Sequence, residues 1–464
     1  MVKKTNANME GLVNAFKCSS SLNRLFSVIA LVLALPAALA ENTDEIQSEI
    51  DRLFASAQSG PGGSVLVARD GKILHQQGYG LANMEWEIPA TPSTRLRIGS
   101  ITKCFTAVAI LQLQEAGALN INEPVGRYLT NYPNAEKFSI RHLLTHTAGV
   151  SGSRKDSLDF TPGDRVDYSN EGYMILGQVV EKVSGKPYAQ YLQESVFEPL
   201  KMLNSGMDRG EMVVRQRASG YRFGPDGTVQ NAACTDAAGA HAAGGLYSTV
   251  EDLWAFDQAL YGEALLKSTT LREAFTPVKL NDGRAGAYGY GWMLRQFHGL
   301  FEVGHGGDIE GFNSYLLRFP EQKCTIIVLC NVSMHARGAL PTAGDLAHQA
   351  AAIVLKDALK PEPSPSRVAL DSAAMDRCAG IYEYNAPPPF LERTGKTLTI
   401  VREGDALFGI DKNGKAELVP ESATQFSPKG SPVKLKFRLN AEGRPTEVLL
   451  NVGGVKEISA KRVQ

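Results

Sequence analysis

Arg97-Ile98-Gly99-Ser100-Ile101-Thr102-Lys103-Cys104-Phe105-Thr106-Ala107 sets a serine and a lysine three residues apart at the head of an apolar helix. Residues i and i+3 of a helix share a face, so the Lys103 amine can lie beside the Ser100 hydroxyl. A serine hydroxyl becomes a useful nucleophile when a neighbour takes its proton, and a buried lysine of lowered pKa can do so. Ser431-Pro432-Val433-Lys434 has the same spacing, but it carries a proline and runs into an alternating strand. Spacing alone therefore decides nothing, and partners for Ser100 have to be found.

Downstream of Ser100, Phe105, Val108, Ala109, Leu111 and Leu113 continue the helix to Glu115-Ala116-Gly117, where the glycine is a natural stop. Upstream, residues 42–56 have helical periodicity (Ile46, Ile50, Leu53, Phe54), and residues 64–76 read as a hairpin turning at Asp70-Gly71. Residues 81–99 read as irregular. Ile140 to His146 and Asn170 to Ser184 read as helices, the second closed by Gly185. Ser248 has capping-box spacing for another. Strands are expected at Tyr290–Leu294, Leu300–Val303, Asn313–Phe319 and Cys324–Asn331, and a helix over 339–358. This order predicts an α+β fold, an antiparallel sheet flanked by helices with a helical block inserted between its halves, over residues 41–358. Three prolines in Lys360-Pro361-Glu362-Pro363-Ser364-Pro365-Ser366 mark a linker at 359–367. Alternation such as Val433-Lys434-Leu435-Lys436-Phe437-Arg438-Leu439 then predicts a separate all-β small barrel over 368–464.

The 464 residues are 43% apolar and 21% charged with a net charge of −1, so no nucleic-acid partner is expected. Lys3, Lys4, Lys17 and Arg24 precede the apolar run Leu25–Leu39, and Ala38-Leu39-Ala40 offers a small-x-small cleavage site. Residues 1–40 thus read as a secretory signal peptide and the location as periplasmic or secreted. The run is shorter than a bilayer span, and no integral membrane segment is expected after cleavage. The leader carries four cations and Glu10, which leaves −4 on the remainder. Five scattered cysteines remain, which is no disulfide framework. Cys104 reads as a small buried helix residue. His142 and His146 are four apart with no third ligand evident, so structural hydrogen bonding is expected of them, and no metal.

Two further stretches supply partners. In Asp164-Arg165-Val166-Asp167-Tyr168-Ser169-Asn170, Tyr168 and Asn170 flank one residue just before a helix. A phenol exchanges protons when a nearby cation lowers its pKa, and Lys103 would be that cation. Asn170 has a donor and an acceptor, suited to a substrate amide or to Lys103. In Val303-Gly304-His305-Gly306-Gly307-Asp308, the glycines allow a substrate close to strand backbone, with Gly307 a contact. His305 supplies positive charge or a hydrogen bond near the tyrosine. The backbone N–H groups of Ser100 and Asp308 are expected to form an oxyanion hole.

The three motifs, in order, resemble those of the serine β-lactamase and penicillin-binding-protein superfamily, and most nearly its class C-like branch. That branch includes DD-peptidases, family VIII esterases and D-amino-acid-specific peptidases. The resemblance extends to Ile140–Gly149, Gly244–Leu253 and Tyr288–Trp292. It implies Ser100 as the acylated nucleophile, Lys103 and Tyr168 sharing the general-base role, and Asn170 and His305 on the substrate. Relatives often have Lys-Thr-Gly where this chain has His305-Gly306-Gly307. That departure weakens the case for β-lactam or D-Ala-D-Ala carboxylates and favours an ester or a differently anchored peptide.

The expected protein is therefore an exported serine hydrolase of an ester or amide. Its substrate is a small molecule or peptide, and it uses no metal or organic cofactor. β-Lactamase, D-Ala-D-Ala carboxypeptidase and D-aminopeptidase are alternatives within the class. A catalytically inactive binding protein on the same fold is the alternative outside it, and the intact Ser100, Lys103, Tyr168 and Asn170 argue against it. Oligomeric state is left open.

Overall fold

The computed structural model describes residues 44–55, 60–152, 156–224, 226–233, 237–333, 341–361, 370, 372–385, 394–412, 414–429, 433–452 and 456–464. The leader at 1–40, most of the linker and residues 431 and 432 lie outside the described residues. The chain divides into two units, 1–55 and 56–464. In the first, residues 44–54 form the expected helix.

In the second unit, Gly63–Arg69 and Lys72–Tyr79 form the hairpin. Asp70 and Gly71 turn it with φ of 52° and 73°, the left-handed pair that suits a tight two-residue turn. Gly63–Arg69 also pairs with Cys324–Cys330, residue for residue from Gly63↔Cys330 to Arg69↔Cys324. The six-stranded antiparallel sheet then runs in space Met293–Phe297, Leu300–Ile309, Phe312–Phe319, Cys324–Cys330, Gly63–Arg69, Lys72–Tyr79. Its two halves are separated in sequence by the helical block, as the order of elements predicts. Helix Ala343–Val354 covers the strands Phe312–Phe319 and Cys324–Cys330.

Helix Thr102–Glu115 lies inside the molecule. All but three of its residues are buried, because apolar side chains occupy every face rather than one stripe. It ends where Gly117 takes φ 70°. Helix Asn170–Ser184 is amphipathic, with Ser169 accepting from the Gly172 N–H and Gly185 left-handed at the far end.

Local expectations shift in three places. The segment 81–99 holds short strands at Leu81–Asn83, Ile88–Pro89 and Leu96–Arg97. The cap of helix Val250–Ala259 is Thr249, which accepts from the Asp252 N–H, while the Ser248 hydroxyl bonds Ser205. The strand expected at Tyr290 starts at Met293. Gly291, at φ 85°, presses on the central helix so closely that a Cβ would meet Ala107 at 2.6 Å, so the chain crosses as a loop before pairing begins.

Residues 380–462 form eight strands, Gly380–Asn385 through Lys456–Arg462, closed into a barrel by first-to-last pairing. Tyr382, Ile400, Leu407, Phe426, Phe437 and Val448 fill its interior, one face of each alternating strand.

Candidate active site

Ser100 sits in a single 3-10 turn, Gly99–Ile101, that leads directly into helix Thr102–Glu115. Gly99 has φ 49°, and a Cβ there would stand 2.9 Å from the Asp308 nitrogen. Only glycine lets this turn lie against strand Leu300–Ile309. The Asp308 nitrogen and the serine turn thereby lie side by side. The Ser100 side chain is partly exposed.

Lys103 is fully buried one turn on. Its Nζ lies 2.7 Å from the Ala243 carbonyl, 2.8 Å from Asn170 Oδ1 and 3.1 Å from Ser100 Oγ. Burial pushes its pKa well below the ordinary lysine value. A neutral amine has two N–H groups and one lone pair. The Ala243 carbonyl and Asn170 Oδ1 can only accept, so both N–H groups go to them. The lone pair is left for the Ser100 hydroxyl.

Tyr168 stands beside the serine, its hydroxyl close enough for the Ser100 side chain to lower the phenol pKa by hydrogen bonding. Lys103 Nζ lies over the tyrosine ring, 4.7 Å from its centroid. The expectation that Lys103 lowers the phenol pKa is overturned. Burial raises it, with only partial relief from the Ser100 hydrogen bond. Desolvation also lowers the pKa of the amine, which weakens it as a cation for a phenolate. Tyr168 therefore enters as a neutral hydroxyl. Asn170, the first residue of its helix, turns Oδ1 to Lys103 and is itself solvent exposed.

The third stretch needs two corrections. His305 is completely buried, and burial with nearby Lys103 pushes its pKa down to about 3. Its Nδ1 lies 2.6 Å from the Gly306 carbonyl, so Nδ1 carries the proton and Nε2 accepts from Tyr288 at 2.8 Å. It supplies no positive charge, and its hydrogen bond goes to Tyr288 rather than Tyr168. At Gly307 a Cβ would meet the Ile98 carbonyl at 2.0 Å and Ser314 Oγ at 2.3 Å. The missing side chain accommodates the chain leading to Ser100.

A family model described as Beta-lactamase matches residues 48–350. The chain belongs to the beta-lactamase family. Among its relatives, Penicillin-binding protein 4* of Bacillus subtilis (strain 168) is 27% identical over 443 residues, covering 85% of this chain and 94% of that one. The octameric penicillin-binding protein homologue from Pyrococcus abyssi is 25% identical with a TM-score of 0.61, over 90% of this chain and 99% of that one. The D-amino acid amidase from Ochrobactrum anthropi SV3, 24% identical with a TM-score of 0.59 over 68% and 99%, shares the fold. Members of the beta-lactamase family are serine hydrolases.

The fold thus gathers Ser100, Lys103, Tyr168, Asn170 and the Asp308 backbone at one place. It adds three participants that residue types do not reveal. The Ala243 carbonyl holds Lys103, and a backbone acceptor has no signature in sequence. Tyr288 holds His305; the stretch Tyr288–Trp292 is visible in the sequence, but the role is not. His146 lies with its ring centroid 4.3 Å from that of Tyr168. Asn331, which opens a glycosylation sequon, is fully buried. Its side chain accepts from the Gly62 N–H and donates to the Leu81, Ala82 and Ser219 carbonyls, a structural use that leaves no room for a glycan.

Proposed function

We propose that the protein is an exported serine hydrolase that cleaves an ester or amide through an acyl-enzyme on Ser100. The observation that carries this reading is Lys103: a buried amine 3.1 Å from Ser100 Oγ whose other two partners can only accept, so that its deprotonated form has its lone pair for the serine hydroxyl. Lys103 takes the Ser100 proton as Oγ forms a bond to the substrate carbonyl carbon. Charge builds on the carbonyl oxygen, where the N–H groups of Ser100 and Asp308 receive it. Collapse of the tetrahedral species breaks the bond to the leaving group. That group takes the proton of the Tyr168 hydroxyl, and the Lys103 ammonium, which lies over the Tyr168 ring, returns a proton to the phenolate. Water then reverses the sequence and releases the acid.

The uncharged His305 supports a substrate carbonyl without an adjacent carboxylate, because no fixed cation stands on that strand to receive one. Residues 1–40 support export. A panel of p-nitrophenyl esters, nitrocefin and D-Ala-terminated peptides tests the reading. Turnover of neutral esters or amides above the carboxylate-bearing substrates is expected. Preferred turnover of nitrocefin or D-Ala-D-Ala peptides would replace this substrate class with those alternatives.

A further inference from the structure

Thr145-His146-Thr147 lies on no chemical motif, yet His146 is among the most constrained residues of the site. Its φ is +57°, a left-handed conformation that few residues other than glycine and asparagine adopt readily. That conformation aims its carbonyl and its ring at one target. The His146 carbonyl accepts from the Asp167 N–H at 2.8 Å, and its Nδ1 accepts from the Ser169 N–H at 3.0 Å. The residues immediately before and after Tyr168 are thus both held by the same side of the same histidine. The ring also packs on Tyr168, with Tyr288 and Tyr173 at 4.5 and 5.0 Å between centroids.

The remaining ring nitrogen argues that the position is more than filler. Because Nδ1 accepts, Nε2 carries the proton, and Nε2 is buried with no hydrogen-bond partner among the described residues. An apolar side chain would fill the space without stranding an N–H, but would give the Ser169 N–H nothing to bond. Burial pushes the pKa of the ring well below the ordinary histidine value, which keeps it uncharged and preserves Nδ1 as an acceptor.

We propose that His146 is the positioning residue for Tyr168: it clamps the backbone on both sides of Tyr168 and so fixes the phenol hydroxyl against Ser100. This rests on the acyl-enzyme reading above. A phenol loosened by even an ångström would slow acylation without weakening substrate binding.

The test uses the full chain and a fluorophosphonate, with labelling localised by mass spectrometry and kcat and KM measured on one ester. His146→Gly suits the left-handed backbone but lacks the ring acceptor. His146→Asn suits it and places an acceptor near the Nδ1 position. His146→Gln keeps polarity but places its acceptor further out. His146→Gly should lower the acylation rate constant about 10- to 100-fold with KM unchanged, and His146→Asn should recover it to within about threefold. In a Tyr168→Phe background, His146→Gly should cost less than about twofold more, because the group it positions is already gone. Wild-type acylation by His146→Gly, or a loss that multiplies fully with Tyr168→Phe, would overturn the proposal. If His146→Gly does not fold, the Asn and Gln variants decide, and Gln acylating as well as or better than Asn overturns it. Wild-type protein that takes no label at Ser100 would instead overturn the acyl-enzyme reading itself.

Discussion

Replacing Asn170 by aspartate puts a negative charge where the structure has a neutral oxygen, 2.8 Å from Lys103 Nζ, with almost no change of shape. At that separation two unit charges attract by about 6 kcal/mol at an effective dielectric constant of about 20, and by about 1.5 kcal/mol in bulk water. Lys103 is buried while Asn170 is exposed, so an intermediate value of about 2–3 kcal/mol applies, about two pKa units upward for the amine. A base works only when deprotonated, so its rate rises with pH through its pKa. Raising that pKa moves the rise to higher pH. The rise of acylation rate with pH should therefore lie about two pH units higher in Asn170→Asp than in Asn170→Ser, with the two rates converging above it. Burst kinetics with a p-nitrophenyl ester between pH 5 and 10 measure both limbs. Superimposable profiles for the two variants would mean that Lys103 is not the group that takes the proton.

Two other outcomes follow from the same geometry. Tyr168→Phe should reduce acylation by an alkyl ester, whose leaving alkoxide must be protonated, by at least about 100-fold while the serine remains slowly reactive. A near-normal rate would leave the whole proton transfer to Lys103. The second concerns stability. His348 has acceptors at both ring nitrogens, the Gly344 carbonyl at 2.7 Å and Glu302 at 3.0 Å. Burial alone would lower its pKa, but the hydrogen bond and charge of Glu302 outweigh it and raise the value above the ordinary one. The stabilisation from that proton is complete below the unfolded-state pKa, about 6.5, and is lost as pH rises through the higher folded value. The Tm gap between wild type and His348→Gln should shrink from pH 6 to pH 9, and a gap that widens would contradict this account.

Helix Asn170–Ser184 was legible to the residue because both of its ends are local chemistry, a serine cap and a glycine stop. The alternating C-terminal strands and the hairpin at Asp70-Gly71 were legible for the same reason. The strand before Leu300 was not, because Gly291 follows the demands of packing against the central helix rather than its own neighbours. Within the site, the residue types of Ser100, Lys103, Tyr168 and Asn170 and their order were readable. Their protonation was not. Whether Lys103 is an ammonium, Tyr168 a phenolate or His305 a cation depends on desolvation by segments distant in sequence, and burial moved all three toward neutrality. His146 shows the same limit in the backbone: nothing around Thr145-His146-Thr147 announces a left-handed residue, and the clamp on Tyr168 exists only because of it.

In the proposed reaction Ser100 Oγ is the atom that attacks. Intact-mass analysis after mixing with an activated ester, followed by peptide mapping, measures that directly. One acyl group on the peptide that contains Ser100, absent in a folded Ser100→Ala protein, is the predicted result. An adduct that persists in Ser100→Ala, or maps to another residue, would contradict it.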